Sequence, residues 1–407
     1  MKCRHCKAEL TSTFLNLGYA PPSNAYLRES DLSKPEIYLP LKIMVCEQCW
    51  LVQTEDYTEA ANLFNADYAY FSSTSAGWLT HASVYSEKVI NDLSLNSSSF
   101  VMEIASNDGY LLKNFVASGI PCLGIEPTAS TAEAAEKINV PVLREFFGES
   151  LAHRLSFEGK QADLIIGNNV YAHVPDINDF TMGLKAALKV GGTITLEFPH
   201  LMQLLRHSQF DTVYHEHFSY LSLYTVIQIF DAAGLTIFDV EELPTHGGSL
   251  RVYGCHIDDP RVPSSRVATV LKEENGNGLR DISTYHSFQA KANQIKNKLL
   301  SFLIDQKNQN KSVAAYGAAA KGNTLMNYAG IKPDLISFVC DAASAKQHMF
   351  MPGSHVPIFS PEKIHIEKPD FLLILPWNIS EEVIEKNEYI RDWGAMFVIA
   401  IPELTIL

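Results

Sequence analysis

No stretch of the chain approaches the roughly 20 uninterrupted apolar residues that a membrane helix needs. None forms a low-complexity tract or an internal repeat. The first ten residues, MKCRHCKAEL, lack the apolar core of a secretory signal. A cytoplasmic protein without membrane contacts is therefore expected. Positive charge is also short, with 32 Lys and Arg against 46 Asp and Glu and a formal net charge of −14. Nucleic acid and anionic membrane would both repel such a chain, so neither is expected as a partner. Cysteine is scarce, at seven in 407 residues. Cys122, Cys255 and Cys340 lie singly in apolar surroundings and read as buried free thiols. The other four form two pairs, which in a large cytosolic chain suggest metal rather than disulfide.

What is present is enough for two or three domains of about 100–200 residues each. Residues 1–57 are short of helical periodicity and framed by the cysteine pairs, and 58–93 read as mostly helical. From residue 100 strands and helices alternate: FVMEIAS, then a helix stopped by Gly119, PCLGIEP, a helix over about 129–138, DLIIGNN, a helix around 177–189, and TITLEFP. Such alternation implies a parallel sheet covered by helices. A helix near 222–234, a hairpin around THGG and a long helix over 281–308 follow. A second strand–turn–helix series begins at SVAAYGAAAKGNTLMNYAG. The expected fold class is α/β: a small cysteine-framed module (1–60), a Rossmann-like domain (61–260) and a second Rossmann-like domain (261–407).

Cys3/Cys6 and Cys46/Cys49 are two Cys-x2-Cys pairs 39 residues apart. Four thiolates from paired knuckles suit a closed, structural zinc site; redox thiols are the plainer alternative. EIASNDG ends the first strand of the central domain, where open α/β sheets bind cofactors. It lacks the G-x-G-x-x-G cradle for a pyrophosphate, which suits a cofactor without phosphates. Glu103 and Asp108 can meet a cationic amino-acid group, and Ser106, Asn107 and Gly109 complete the turn. Glu126 ends the next strand, where an acid can accept both ribose hydroxyls. Asn168 closes a later strand beside the reacting group. Together these read as a site for S-adenosylmethionine (SAM), against a degraded Rossmann-like domain with ordinary turn acids. The run VYHEHFSY places His215, Glu216 and His217 in succession. If extended, Tyr214 and Glu216 share one face and the two histidines the other. A histidine suits general-base work near neutrality; a second metal site and satisfied structural histidines are the alternatives. His173 can line the same cleft, whereas His200 and His207 read as structural or solvated. GAAAKGNT (317–324) is not a P-loop, yet its helix start and Lys321 suit an anion as well as they suit plain close packing.

These features in this order resemble the sugar C-methyltransferase family that acts on nucleotide-activated deoxysugars. The resemblance is carried by the cysteine pairs, YAYFSS (Tyr68 to Ser73), SNDG, GIEP, NNVYAHVPD, the Tyr-His-Glu-His run, GGSLRVY and AKGNTLMNY, and covers nearly the whole chain. It implies a general base at His217, supporting roles for Glu216, Tyr214, His173 and Tyr68 around the sugar, and zinc on the four cysteines. It also implies methylation at C3 of a 4-keto-6-deoxy sugar linked to a nucleotide. Ala105 departs from the glycine that family members often carry before SNDG. The substrate nucleotide is expected between the last two domains, where ligands favour interfaces. His246, Ser249, Arg251, Lys321 and Asn323 are the residues expected to grip it. A monomer or homodimer is expected. Two rivals stand beside this reading: an O- or N-methyltransferase of another metabolite, and a non-catalytic zinc-containing binding protein.

Overall fold

The computed structural model describes residues 1–55 and 71–407. Three sheets organise it. The first is antiparallel, in the order β1 (Ser12–Ala20), β2 (Leu39–Val45), β3 (Val52–Thr54) and β9 (Ser219–Tyr220). Its last strand comes from far along the chain, pairing Val52 with Tyr220 and Gln53 with Ser219.

The central sheet has the order β10-β11-β8-β7-β4-β5-β6. Its members are β4 (Val101–Ile104), β5 (Cys122–Ile125), β6 (Val142–Leu143), β7 (Ala162–Asn168), β8 (Leu188–Pro199), β10 (Leu235–Leu243) and β11 (Ser249–His256). The first five are parallel, and β11 and β10 return antiparallel as the hairpin expected around THGG. Parallel strands covered on both faces must be apolar throughout. Val101, Met102, Leu164, Ile165, Ile166, Ile194, Leu196 and Phe198 accordingly show no exposure. Strand order reverses at β4, so the crevice beyond the carboxyl ends of β4 and β7 is the place for a ligand.

The third sheet, β14-β13-β12-β15-β16-β17, is parallel except for its last strand. It comprises β12 (Val313–Tyr316), β13 (Val339–Cys340), β14 (Ile358–Phe359), β15 (Phe371–Ile374), β16 (Met396–Ile399) and β17 (Thr405–Ile406). Helices start where side chains can accept the orphan amides. Asp176 caps Ile177–Ala187, Ser222 caps Leu223–Ala233 and Asp281 caps the long helix Ile282–Asn308.

Several elements differ from expectation, among them the unexpected helices Glu149–Phe157 and Leu201–Arg206. The helix expected from residue 58 is seen over Ala76–Asp92, the positions before 71 being outside the described residues. A helix at Ser265–Gly276 was not expected; it buries only Val267, Val270 and Glu274, too thin an apolar stripe to announce itself. Among the described residues no helix is long and apolar enough to cross a membrane.

Candidate active site

The cysteine pairs fold into two matching knuckles. In each, the residue after the second cysteine is left-handed, Lys7 (φ 64) and Trp50 (φ 60), and donates its amide to the first cysteine's carbonyl. The four sulfurs lie within 4.8 Å of one another, with Cys3–Cys49 and Cys6–Cys46 at 3.5 Å. Tetrahedral zinc with 2.3 Å bonds to sulfur has edges of about 3.8 Å, so the donor set fits that ion. Gln53 Nε2 donates to Cys3 Sγ at 3.3 Å, the outer hydrogen bond that orients a metal ligand. Hydrogen bonds from Cys46 and Cys49 pull the Cys3 thiol far down, towards the thiolate a metal requires.

The module also reaches the cleft. Arg4, inside the first knuckle, donates to the carbonyls of Pro175 and Thr54 and lies over the Phe218 ring at 5.0 Å. Cys49's carbonyl accepts from Thr225 and Gln228 on the helix Leu223–Ala233.

At the end of β4 the backbone is left-handed at alternate positions: Ala105 (φ 56), Asn107 (φ 50) and Gly109 (φ 76). A search for glycines finds one of the three. Asparagine tolerates this region, but alanine is held there at a cost of roughly 1 kcal/mol. Asn107 and Asp108 accept the amides of Ser72 and Ser73. Glu126 accepts the amides of Asn107 and Thr128, both at 2.9 Å, so it shapes the turn as well as facing the crevice. Gly124 is required beside it, because a Cβ there would fall 2.3 Å from Ser106 Oγ.

Buried polar atoms gather here without a protein partner among the described residues: Glu103 Oε2, Ser106 Oγ, Asp108 Oδ1 and both amide atoms of Asn168. Burial, then Glu126 and Asp108, pushes the Glu103 carboxyl well up. Three crowded acids and unused polar atoms fit a ligand carrying positive charge and hydroxyls, as SAM does.

The Tyr-His-Glu-His run is not extended. His217 donates its amide to the Tyr214 carbonyl, closing a turn that brings the Tyr214 and His217 rings to 4.0 Å at a tilt of 35°. The expectation of opposite faces is therefore corrected; a local backbone hydrogen bond wins over alternation. His173 meets His217 edge-on at 4.6 Å. His217 Nδ1 lies 3.0 Å from the Thr212 carbonyl, which can only accept, so the hydrogen is on Nδ1 and Nε2 carries a lone pair. Nε2 has no hydrogen-bond partner among the described residues. Glu216 is buried and accepts from Asn24 Nδ2 at 3.2 Å; burial raises its pKa. Tyr68 lies outside the described residues.

The expected substrate grip divides. Arg251 is 3% exposed and bound to Glu197 at 2.6 Å and Glu241 at 3.3 Å, with its guanidinium 4.3 Å over Tyr85. Its charge is spent inside the domain, so the expectation that it pairs with diphosphate is corrected. Ser249 is likewise buried, donating to the Thr245 carbonyl. Asn323 is enclosed, and its Oδ1 accepts from Asn327. Lys321 remains at the cleft. It donates to Asn378 Oδ1 at 2.6 Å and stands 4.5 Å over Trp377, while burial lowers its pKa. Trp377 and Asp211 were missed by sequence reasoning; the indole donates to Asp211 at 2.8 Å and joins the second and third sheets' domains. A Cβ on Gly247 would fall 2.4 Å from Trp377, so the His246 turn packs directly on that indole.

Burial lowers His173 and His246 to about 4 and pushes His217 well below its ordinary range. All three are neutral near pH 7. The unfolded chain takes up protons on these rings near pH 6.5 while the folded chain does not, so this stability is complete above that pH and is lost as pH falls towards 4. Each of the two valued rings accounts for about 3 kcal/mol at most. Urea unfolding at pH 7.5 and pH 5 is expected to show a loss of several kcal/mol, reduced in a His173→Asn variant. An unchanged slope in that variant contradicts the assignment.

Three family models match the chain in succession: a zinc binding domain (3–64), a methyltransferase domain (79–240) and a C-methyltransferase C-terminal domain (244–402). The C-methyltransferase NovU of Streptomyces niveus is 30% identical over 406 residues, covering 100% of this chain and 96% of that protein. Among solved structures, the PH0226 protein of Pyrococcus horikoshii is 15% identical over 49% of this chain and 100% of its own, with a TM-score of 0.39. Magnesium protoporphyrin IX methyltransferase of Synechocystis with bound SAM is 13% identical over 44% and 79%, with a TM-score of 0.34. Likenesses that faint carry no argument about this chain.

Proposed function

Because the chain belongs to the SAM-dependent C-methyltransferase family, we propose that it methylates C3 of a nucleotide-linked 4-keto-6-deoxy sugar, with His217 as the base. The observation that carries this reading is the fixed tautomer of His217, whose Nδ1 is tied to Thr212 and whose Nε2 keeps its lone pair for a proton. Glu103, Asp108, Glu126 and Asn168 would hold SAM, which supplies an electrophilic methyl group when bound. Zinc on Cys3, Cys6, Cys46 and Cys49 is structural, with no open position for chemistry.

Carbon is a poor nucleophile until it becomes an enolate. The 4-keto group acidifies the C3 hydrogen, and a neutral imidazole at His217 removes it. Tyr214, tilted against that ring, and His173, edge-on to it, take the supporting roles around the sugar together with Glu216. The nucleotide diphosphate lies towards Lys321, which keeps donors to spare beyond Asn378. The domain division 1–60, 61–260 and 261–407, a cytoplasmic location, a monomeric or homodimeric state and the absence of nucleic-acid and membrane partners belong to the same reading.

The test is mass spectrometry of the protein with SAM and a dTDP-4-keto-6-deoxyhexose in heavy water, beside His217→Ala. Wild type is expected to gain one methyl on carbon and to exchange the C3 hydrogen. The variant should lose about 10²–10⁴-fold in both. Methylation undiminished in the variant removes His217 as base, and methylation on oxygen removes the carbon reading.

A further inference from the structure

The turn Thr245–Gly247 between β10 and β11 carries His246 in the left-handed region (φ 55). A non-glycine residue stays there only when its surroundings hold it, and such strain gathers at functional sites. Here Thr245 Oγ1 donates to Glu197 at 2.9 Å, Gln209 donates to the Gly247 carbonyl at 2.7 Å, and Trp78 stands edge-on to the imidazole at 5.2 Å.

The ring's tautomer is fixed as well. Asn169, which follows β7, donates Nδ2 to His246 Nε2 at 3.1 Å. An accepting Nε2 leaves the ring hydrogen on Nδ1. His217 is the opposite case, with its hydrogen on Nδ1 consumed by Thr212 and its lone pair on Nε2 unshared among the described residues. Asn169 and His173 lie four residues apart just after β7 and contact His246 and His217 respectively, which places both rings at the carboxyl end of that strand. One cleft therefore holds two neutral imidazoles of complementary character, a lone pair on one and an N–H on the other.

We propose that His246 Nδ1–H is the hydrogen-bond donor for the substrate's carbonyl oxygen as negative charge develops there. This assignment rests on the keto-sugar reading above. The C3 hydrogen leaves as a proton to His217 Nε2, its bonding pair forms the C3–C4 double bond, and the carbonyl π pair moves to oxygen. His246 keeps its proton and stabilises that oxygen through the hydrogen bond. A neutral donor suits the step, because an imidazolium beside His217 would hinder the base from accepting a proton.

The test reads C3 hydrogen exchange in heavy water without SAM, so that enolate formation is separated from methyl transfer. His246→Ala is expected to slow exchange about 10²–10³-fold, with a far smaller change in KM for the sugar nucleotide. His246→Asn, whose amide nitrogen can stand near the Nδ1 position, should recover at least a tenth of wild-type exchange. Exchange within threefold of wild type in the alanine variant overturns the assignment, as does equal loss in both variants. Nitrogen-15 NMR of the histidine rings gives a readout independent of turnover: the Nδ1–H form at His246 is expected, and the Nε2–H form overturns the donor role. A wild type that binds SAM yet neither exchanges nor methylates removes the keto-sugar reading itself, a result distinct from a wild type that exchanges through a residue other than His246.

Discussion

Cys49→Ala is expected to release zinc and to abolish methyl transfer although the mutated residue lies outside the reaction cleft. Three remaining thiolates cannot close the tetrahedron, and a structural zinc site contributes on the order of 10 kcal/mol of apparent folding free energy. The loss does not stop at the knuckle. β3 pairs with β9, the Thr54 amide donates to the Phe218 carbonyl, and Arg4 donates to the Thr54 carbonyl while lying over the Phe218 ring. Phe218 is the next residue after His217, the proposed base. Elemental analysis should show zinc near one per chain in wild type and well below that in the variant. Exchange at C3 should fall with it. Full exchange in protein proven free of zinc would separate the module from the base and contradict this coupling.

Glu197→Leu is expected to be the most damaging single change in the central sheet. Its carboxylate has no exposure and binds Arg251, His81 and Thr245 at once. Burial alone would raise its pKa, but the His81 hydrogen bond and the Arg251 charge outweigh burial and keep it ionised. Removing Glu197 leaves Arg251 buried with only the 3.3 Å contact to Glu241, and breaking a buried pair in this way costs about 3–5 kcal/mol. Chemical denaturation should register that loss. Replacing both partners, Glu197→Leu with Arg251→Met, should restore most of the stability, because an apolar pair of similar volume removes the stranded charge. Activity should stay low in the double variant, since Thr245 still lacks its anchor and the His246 turn is released. A double variant as unstable as the single one would mean that the ion pair is not the source of the cost.

Short local patterns were the most legible part of the chain. Cysteine pairs and an acid ending a strand such as Glu126 each depend on a few neighbouring residues. The zinc knuckles, the order of strands and helices in the central domain and the hairpin around THGG could be read for that reason. Arg251 could not. Its partner Glu197 is 54 residues away in sequence, and nothing local says whether an arginine faces a ligand or a buried acid. Trp377 and Asp211 are separated by 166 residues and meet only once two domains pack. The turn at His217 was read as extended because it contains neither glycine nor proline. The left-handed positions at Ala105 and Asn107 escaped for the related reason that a search for glycine sees only glycine. Side-chain burial was legible from the apolar runs of the strands; the employment of buried charge was not.

β9 also bears on how such chains can be recombined. Two residues of the central region complete the N-terminal sheet, so the sequence border between module and methyltransferase is not a border in space. A chimera that takes residues 1–55 from one relative and everything after from another inherits a sheet whose strands evolved apart. The heritable unit is the N-terminal module together with the segment around 213–220, so His217 travels with the four cysteines.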